Sequence, residues 1–139
     1  MDNNNGENDL NKMLSNLDPL LSDDVYVFCF CGNFDRCKNS FTPWATICED
    51  EGTTLILTKL QADQENLPYE DQWRRITLQI HSSLHSVGLT AAISRMLADG
   101  GISANMVAGY YHDHIVVPSE YAGQALELLQ IHKSMQKES

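Results

Sequence analysis

Apolar residues recur along this chain in two rhythms, an alternation of period two and a spacing of three and four, which mark strands and helices respectively. Leu10, Met13, Leu14 and Leu17 form a helical stripe over Asp9–Leu17, with Asp9 placed to cap it and Pro19 just beyond its end. Val25–Cys31, VYVFCFC, is a dense aromatic and β-branched strand. Gly32–Pro43 mixes Gly, Asn, Asp and Ser and reads as a loop. Trp44–Cys48 and Thr53–Thr58 flank Glu49-Asp50-Glu51-Gly52, a strong turn signal, so the pair predicts a hairpin. Ala62–Asn66 reads as a helical turn that Leu67-Pro68-Tyr69 breaks.

The second half is cleaner. Ile76, Leu78 and Ile80 share one face of a strand over Arg75–Ile80. His81–Val87 is a polar connection. Leu89, Ala92, Ile93, Met96 and Leu97 form the stripe of a helix over Leu89–Ala98, which Gly100-Gly101 ends. Ile102–Val107 and Ile115–Val117 predict two further strands. Pro118-Ser119-Glu120 opens a last helix with Ser119 as cap, and its stripe is Ala122, Leu126 and Leu129, with Ala125 and Leu128 alongside. Strand, helix, strand, strand, helix is one strand short of the ferredoxin-like βαββαβ arrangement. An earlier segment or a partner must supply the missing edge, and Val25–Cys31 is the obvious candidate.

The chain has 139 residues, 42% of them apolar, which suits one compact domain or two small interlocked lobes. The divisions expected are a disordered acidic tail over 1–8, an N-terminal half over 9–73, a C-terminal half over 74–133 and a flexible tail over 134–139. No run is long enough to span a membrane, and the start MDNNNGENDLNKML lacks the features of a signal peptide, so a cytoplasmic protein is expected. Net charge is −10, a field that repels phosphate backbones and argues against a nucleic-acid role. Cys29, Cys31, Cys37 and Cys48 contain no Cys-x-x-Cys pair. In a strand Cys29 and Cys31 point to one face, and the four read as small apolar fillers of a reduced protein, with zinc binding, redox sensing or a disulfide as alternatives.

The polar connection HSSLHSVGLT offers the hydroxyls of Ser82, Ser83, Ser86 and Thr90, a glycine at Gly88, and the free amides of a helix start. Such a set can grip a carboxylate, and it can equally be an ordinary capping loop. Asn105 stands in a strand pattern, where asparagine is disfavoured, and is either a ligand contact or part of a solvated face. In AGYYHDHIVVP, Ala108–Pro118, extended backbone would put His112 and His114 on one face and Asp113 on the other. Two histidines can start a metal site, with His81 or His85 as a third ligand. The simpler reading is a polar hairpin tip in which imidazoles and tyrosines bond across the strands, and a third is a wall of the ligand or dimer interface. A hydrolytic triad from Ser82, Ser83 and His85 lacks a nucleophile elbow, and no phosphate-loop or dinucleotide fingerprint occurs.

WRRITLQIHSSLHSVGLTAAISRMLADGGISANMVAGYYHDHIVVP, with WATICEDEGTTLIL before it, resembles a family of small bacterial ACT-domain-like proteins of uncharacterised function. The likeness runs from about Tyr26 to Leu129 and is weakest over CGNFDRCKNSFTP. It implies an α+β, ferredoxin-like ACT-type fold: an antiparallel sheet with helices mainly on one face, in two interlocked ACT-like halves. It also implies a small-molecule, most often amino-acid, binding regulatory module that is not catalytic; no cofactor is expected, and the exposed edge of such a sheet would invite a homodimer. The ligand position it implies is Ser82, Ser83, Val87, Gly88, Leu89 and Thr90, with Asn105 on the facing strand. The competing readings are a ligand-free dimeric adaptor and a small hydrolytic enzyme.

Overall fold

The computed structural model describes residues 12, 14–32, 41–79 and 88–137. The stripe positions Leu10 and Met13, the cap Asp9, the 1–8 tail, residues 33–40 with Cys37, Ile80 and the connection His81–Val87 lie outside the described residues. The described residues form two compact units. One is residues 23–74, and the other joins the residues up to Ser22 with those from Arg75 onward. Strand β1 (Pro19–Cys31) and strand β4 (Trp73–Leu78) each run through both.

In the unit of residues 23–74 the strand order is β2-β3-β1, all antiparallel, with β2 at Ala45–Glu49 and β3 at Gly52–Thr58. The predicted hairpin forms, turning at Asp50-Glu51. Register pairs Val27 with Leu57 and Cys29 with Leu55. These side chains, with Cys31 and Ala62, make a core on one face, and Phe41, Leu67 and Tyr69 pack against it. Helix α1 (Lys59–Gln64) covers that face through Ala62. It starts three residues before the predicted turn because Thr58 and Gln61 form a capping box: Gln61 N–H donates to Thr58 Oγ1 at 3.1 Å, and Thr58 N–H donates to Gln61 Oε1 at 3.0 Å.

The cysteines divide three ways. Cys29 is a buried free thiol, and burial raises its pKa. Cys48 is free and exposed, and Cys31 is buried and disulfide-bonded. The filler reading therefore holds for Cys29 alone. Cys48 sits on β2, every residue of which keeps some exposure, and Cys31 is not reduced.

In the other unit, strands β4, β6 (Asp113–Pro118) and β5 (Asn105–Ala108) follow in that order. β1 lies on the other side of β4, so an earlier segment does supply the missing edge. It begins at Pro19 rather than Val25. Just past these strands Gln79 N–H donates to Leu17 O at 3.2 Å. Helix α2 (Leu89–Asp99) buries Leu89, Ile93 and Leu97, with Ala92 and Met96 at the margin. Helix α3 (Ala122–Lys137) buries Ala122, Ala125 and Leu129. Both pack on Ile76, Leu78, Ile115 and Val117, the inward face of β4 and β6, and Leu14 and Leu17 complete that core. An antiparallel sheet with helices on one face is the expected ferredoxin-like arrangement.

Two predicted boundaries move for local reasons. Ile102 is not in a strand. Its N–H donates to Leu97 O, and that of Gly101, at φ 75, donates to Ala98 O, both at 2.9 Å. This is a Schellman closure of α2, and Ile102 is the apolar residue that seals it. Ser119 is not a cap. It begins a 3₁₀ turn, Ser119–Tyr121, ahead of α3, and its hydroxyl is buried with no hydrogen-bond partner among the described residues.

Candidate functional site

The polar connection predicted as a ligand loop is described only at its end. Ser82, Ser83 and Val87 lie outside the described residues, as do His81, His85 and Ser86. Gly88, Leu89 and Thr90 form the start of α2. Gly88 is the N-cap, at φ 92 in the left-handed region, and it makes no side-chain capping bond. A Cβ placed on Gly88 would meet no atom within 4 Å, so the glycine is required by its backbone angle and not by crowding. Leu89 turns into the core while Thr90 is exposed. The first amides of a helix have no partner within it and carry the positive end of its dipole. Here no side chain of the N-cap occupies them.

Asn105 opens β5, the last strand of the order, and is exposed. It pairs with Val116, while its neighbour Met106 pairs with Ile115 and packs on the core. By the alternation of a strand Asn105 therefore shares a face with Val116 and His114, opposite the face that α2 covers. The structure gives Asn105 and the start of α2 to different sides of the same sheet.

The hairpin between β5 and β6 is built by Gly109, whose N–H donates to His112 O at 2.8 Å. A Cβ at Gly109 would lie 2.7 Å from that same oxygen, so only glycine closes this turn. Tyr110 and Tyr111 project from the tip at 86% and 80% exposure, their rings edge to face. The rings of His112 and His114 lie 6.4 Å apart. His114 reaches across to β4, where its Nδ1 is 2.9 Å from Thr77 Oγ1. Burial first, then the charges of Arg75 and His112, push the His114 pKa down, with Asp113 opposing them. His112 Nδ1 is buried with no hydrogen-bond partner among the described residues. No group of three or more His, Cys, Asp or Glu is placed to hold a metal ion among the described residues. The His114 imidazole thus pairs with the neighbouring strand β4.

A feature that hydrophobic spacing does not predict lies wholly in the unit of residues 23–74. Phe28, Phe30, Tyr69 and Trp73 line a groove of about 500 Å³, closed by Pro68 and edged by Glu70 and Asp71. Phe28 and Phe30 are the β1 residues that alternate with the buried cysteines, so they face away from the core. The Phe28 and Trp73 rings lie 5.6 Å apart at 56°. The Phe30 ring lies over Gly52, where a Cβ would stand 2.5 Å from its Cζ. Tyr69 is held from the other side: its hydroxyl donates to Asp63 Oδ1 at 2.7 Å, and Lys59 pairs with the same carboxylate at 2.7 Å.

Comparison with known proteins adds three observations. Residues 5–74 match one sequence profile of the ACT domain, and residues 69–130 match a second. No curated protein matches the chain. Among solved structures the chain is similar to VC0802 from Vibrio cholerae, a protein of unknown function described as a possible transport protein. The two share 43% identity at a TM-score of 0.84, over 92% of this chain and 98% of that one. The regulatory subunit of aspartate kinase from Thermus flavus shares the fold at 14% identity and a TM-score of 0.63, over 82% of this chain and 95% of that one. A protein from Agrobacterium tumefaciens does so at 14% identity and a TM-score of 0.62, over 79% and 84%.

Proposed function

For a chain that belongs to the ACT-domain family, and carries two such domains in tandem, we propose a role as an amino-acid-binding regulatory module. ACT domains are regulatory modules and not catalysts, and the same fold forms regulatory subunits of aspartate kinase. The observation that carries the reading is the start of α2. Among the described residues, a left-handed Gly88 there gives the first-turn amides no N-cap side chain, directly after a segment rich in serine. A ligand carboxylate would take those amides and the dipole behind them. Ser82, Ser83, Val87, Gly88, Leu89 and Thr90 form the proposed site. Asn105, on the edge strand and on the other face of the sheet, is a separate contact with its own test. A homodimer is part of the proposal, since ACT domains often pair.

The test is a thermal-shift screen of the twenty common amino acids, followed by calorimetric titration of any hit. A ligand at about 100 times its Kd stabilises the native state by about 2.7 kcal/mol and raises the melting temperature by several degrees. Ser82→Ala with Ser83→Ala should abolish the shift without lowering the unliganded melting temperature. If Asn105→Ala leaves affinity unchanged, the contact belongs to the loop alone. No shift across a saturating panel counts against the proposal and in favour of a ligand-free adaptor. Sedimentation equilibrium tests the dimer.

A further inference from the structure

The groove of the 23–74 unit has a composition that selects one ligand chemistry. Four aromatic residues line a single cavity. A π-face is the negative part of a ring's quadrupole and attracts a cation, best of all at tryptophan. The charged residues lining the cavity are Glu70 and Asp71, both exposed, and among the described residues no lysine, arginine or histidine lines it. Lys59 stands 6.0 Å from the Tyr69 ring centre, and its ammonium is already paired with Asp63. Anions would meet two carboxylates. A neutral apolar ligand would leave both carboxylates unused.

Size narrows the choice further. A volume of about 500 Å³ is that of a small-molecule site and not of a helix or a loop. The rings are also held before any ligand arrives: Tyr69 by Asp63, Phe30 by the space above Gly52, and Phe28 against Trp73. The geometry points to a second binding site, within residues 23–74, for a small organic ammonium ion, its cationic head against Phe28, Phe30, Tyr69 and Trp73 and its charge balanced by Glu70 and Asp71. This site is independent of the one proposed at the start of α2 and stands or falls separately.

The experiment titrates the full chain with choline and tetramethylammonium by calorimetry, and with 3,3-dimethylbutan-1-ol, the uncharged shape analogue of choline. Trp73 fluorescence is read in a Trp44→Phe background. The expected result is saturable binding of both cations, with a change in Trp73 emission, and none for the alcohol. Phe30→Ala removes a ring that is already 57% exposed, so the fold is kept, and affinity should drop about tenfold. Glu70→Gln with Asp71→Asn should weaken cation binding and reduce its salt dependence. The Ser82→Ala, Ser83→Ala variant should bind choline as the native protein does. Equal binding of the alcohol, or no saturable binding of either cation, overturns the inference.

Discussion

Leu17→Ala is the sharpest test of how the N-terminal segment is used. Leu17 is 1% exposed and sits in the core formed by Ile76, Leu78, α2, β6 and α3, which begins some sixty residues further along the chain. Leucine-to-alanine changes in such cores cost about 2–5 kcal/mol, the transfer term plus the cavity left behind. Full burial within that cluster places Leu17 near the middle, at about 3 kcal/mol. For a chain of this length that lowers the melting temperature by about 10 °C. It is also a large share of the 5–15 kcal/mol that holds a typical domain together. Leu20, three residues on and 58% exposed, is the matched control, and its replacement by alanine should stay within about 0.5 kcal/mol. Urea unfolding followed by far-UV circular dichroism gives both values from the midpoints at a common slope. If Leu17→Ala and Leu20→Ala unfold at the same midpoint, the N-terminal segment is an appendage and the core assignment is wrong.

Other expectations follow from single contacts. Thr58→Ala removes the Oγ1 acceptor of the Gln61 N–H while keeping the backbone bond to Gln61 Oε1, and should cost about 1 kcal/mol by urea unfolding, while Thr58→Ser should restore most of it. Gly101→Ala forces a side chain into a left-handed angle at the end of α2 and should cost about 1 kcal/mol, with no change at Gly123→Ala, where the angle is ordinary and no atom is near. His114 takes up its proton in the native protein at lower pH than in the unfolded chain, where the value is about 6.5. Unfolded chains then bind more protons, so stability should fall as pH drops from about 7 through 6.5 and level off below the native pKa. His114→Gln should flatten that slope, and an unchanged difference curve between pH 5 and 8 would contradict the burial of this imidazole. Native protein should lose the Cys48 thiol to a disulfide-forming reagent at once, whereas Cys29 should react only after unfolding, which a timed thiol assay separates.

Period-two and period-3.6 patterns were sufficient for the hairpin of β2 and β3, for α2 with its five-residue stripe, and for the sheet-and-helix order from β4 onward. They failed where local chemistry overrode hydrophobicity. Pro19–Asp24 contains a proline, a serine and two aspartates, yet it forms the head of β1 because β4 lies beside it. Ile102 resembles a strand residue until the left-handed Gly101 before it is known. Thr58-Lys59-Leu60-Gln61 does carry a capping-box signature, and that signal alone could have placed α1 correctly. At the candidate site, Gly88 was legible because a glycine before a helical stripe has few other uses. The side of the sheet that Asn105 occupies needed the register with Val116. The groove was half legible: Phe28 and Phe30 oppose Cys29 and Cys31 in any strand. Tyr69 and Trp73 join them only through the folding of residues 59–73, which no spacing encodes.

The passage of β1 through both units sets the order in which this protein can be made. Among the described residues, Leu14 and Leu17 share their core with residues from Ile76 onward. On the ribosome, at about 5–20 residues per second, Leu14 and Leu17 therefore wait several seconds for β4, α2 and β6 to emerge. The 23–74 unit is complete in sequence long before then, and it can form while the first twenty residues remain unplaced. A gene cut after residue 74, where the first family match ends, would thus yield an N-terminal fragment carrying apolar residues with nothing to cover them, and a C-terminal fragment lacking Leu14, Leu17 and its outer strand. Each fragment would depend on the other. Co-expression should rescue the pair where neither half is recovered alone.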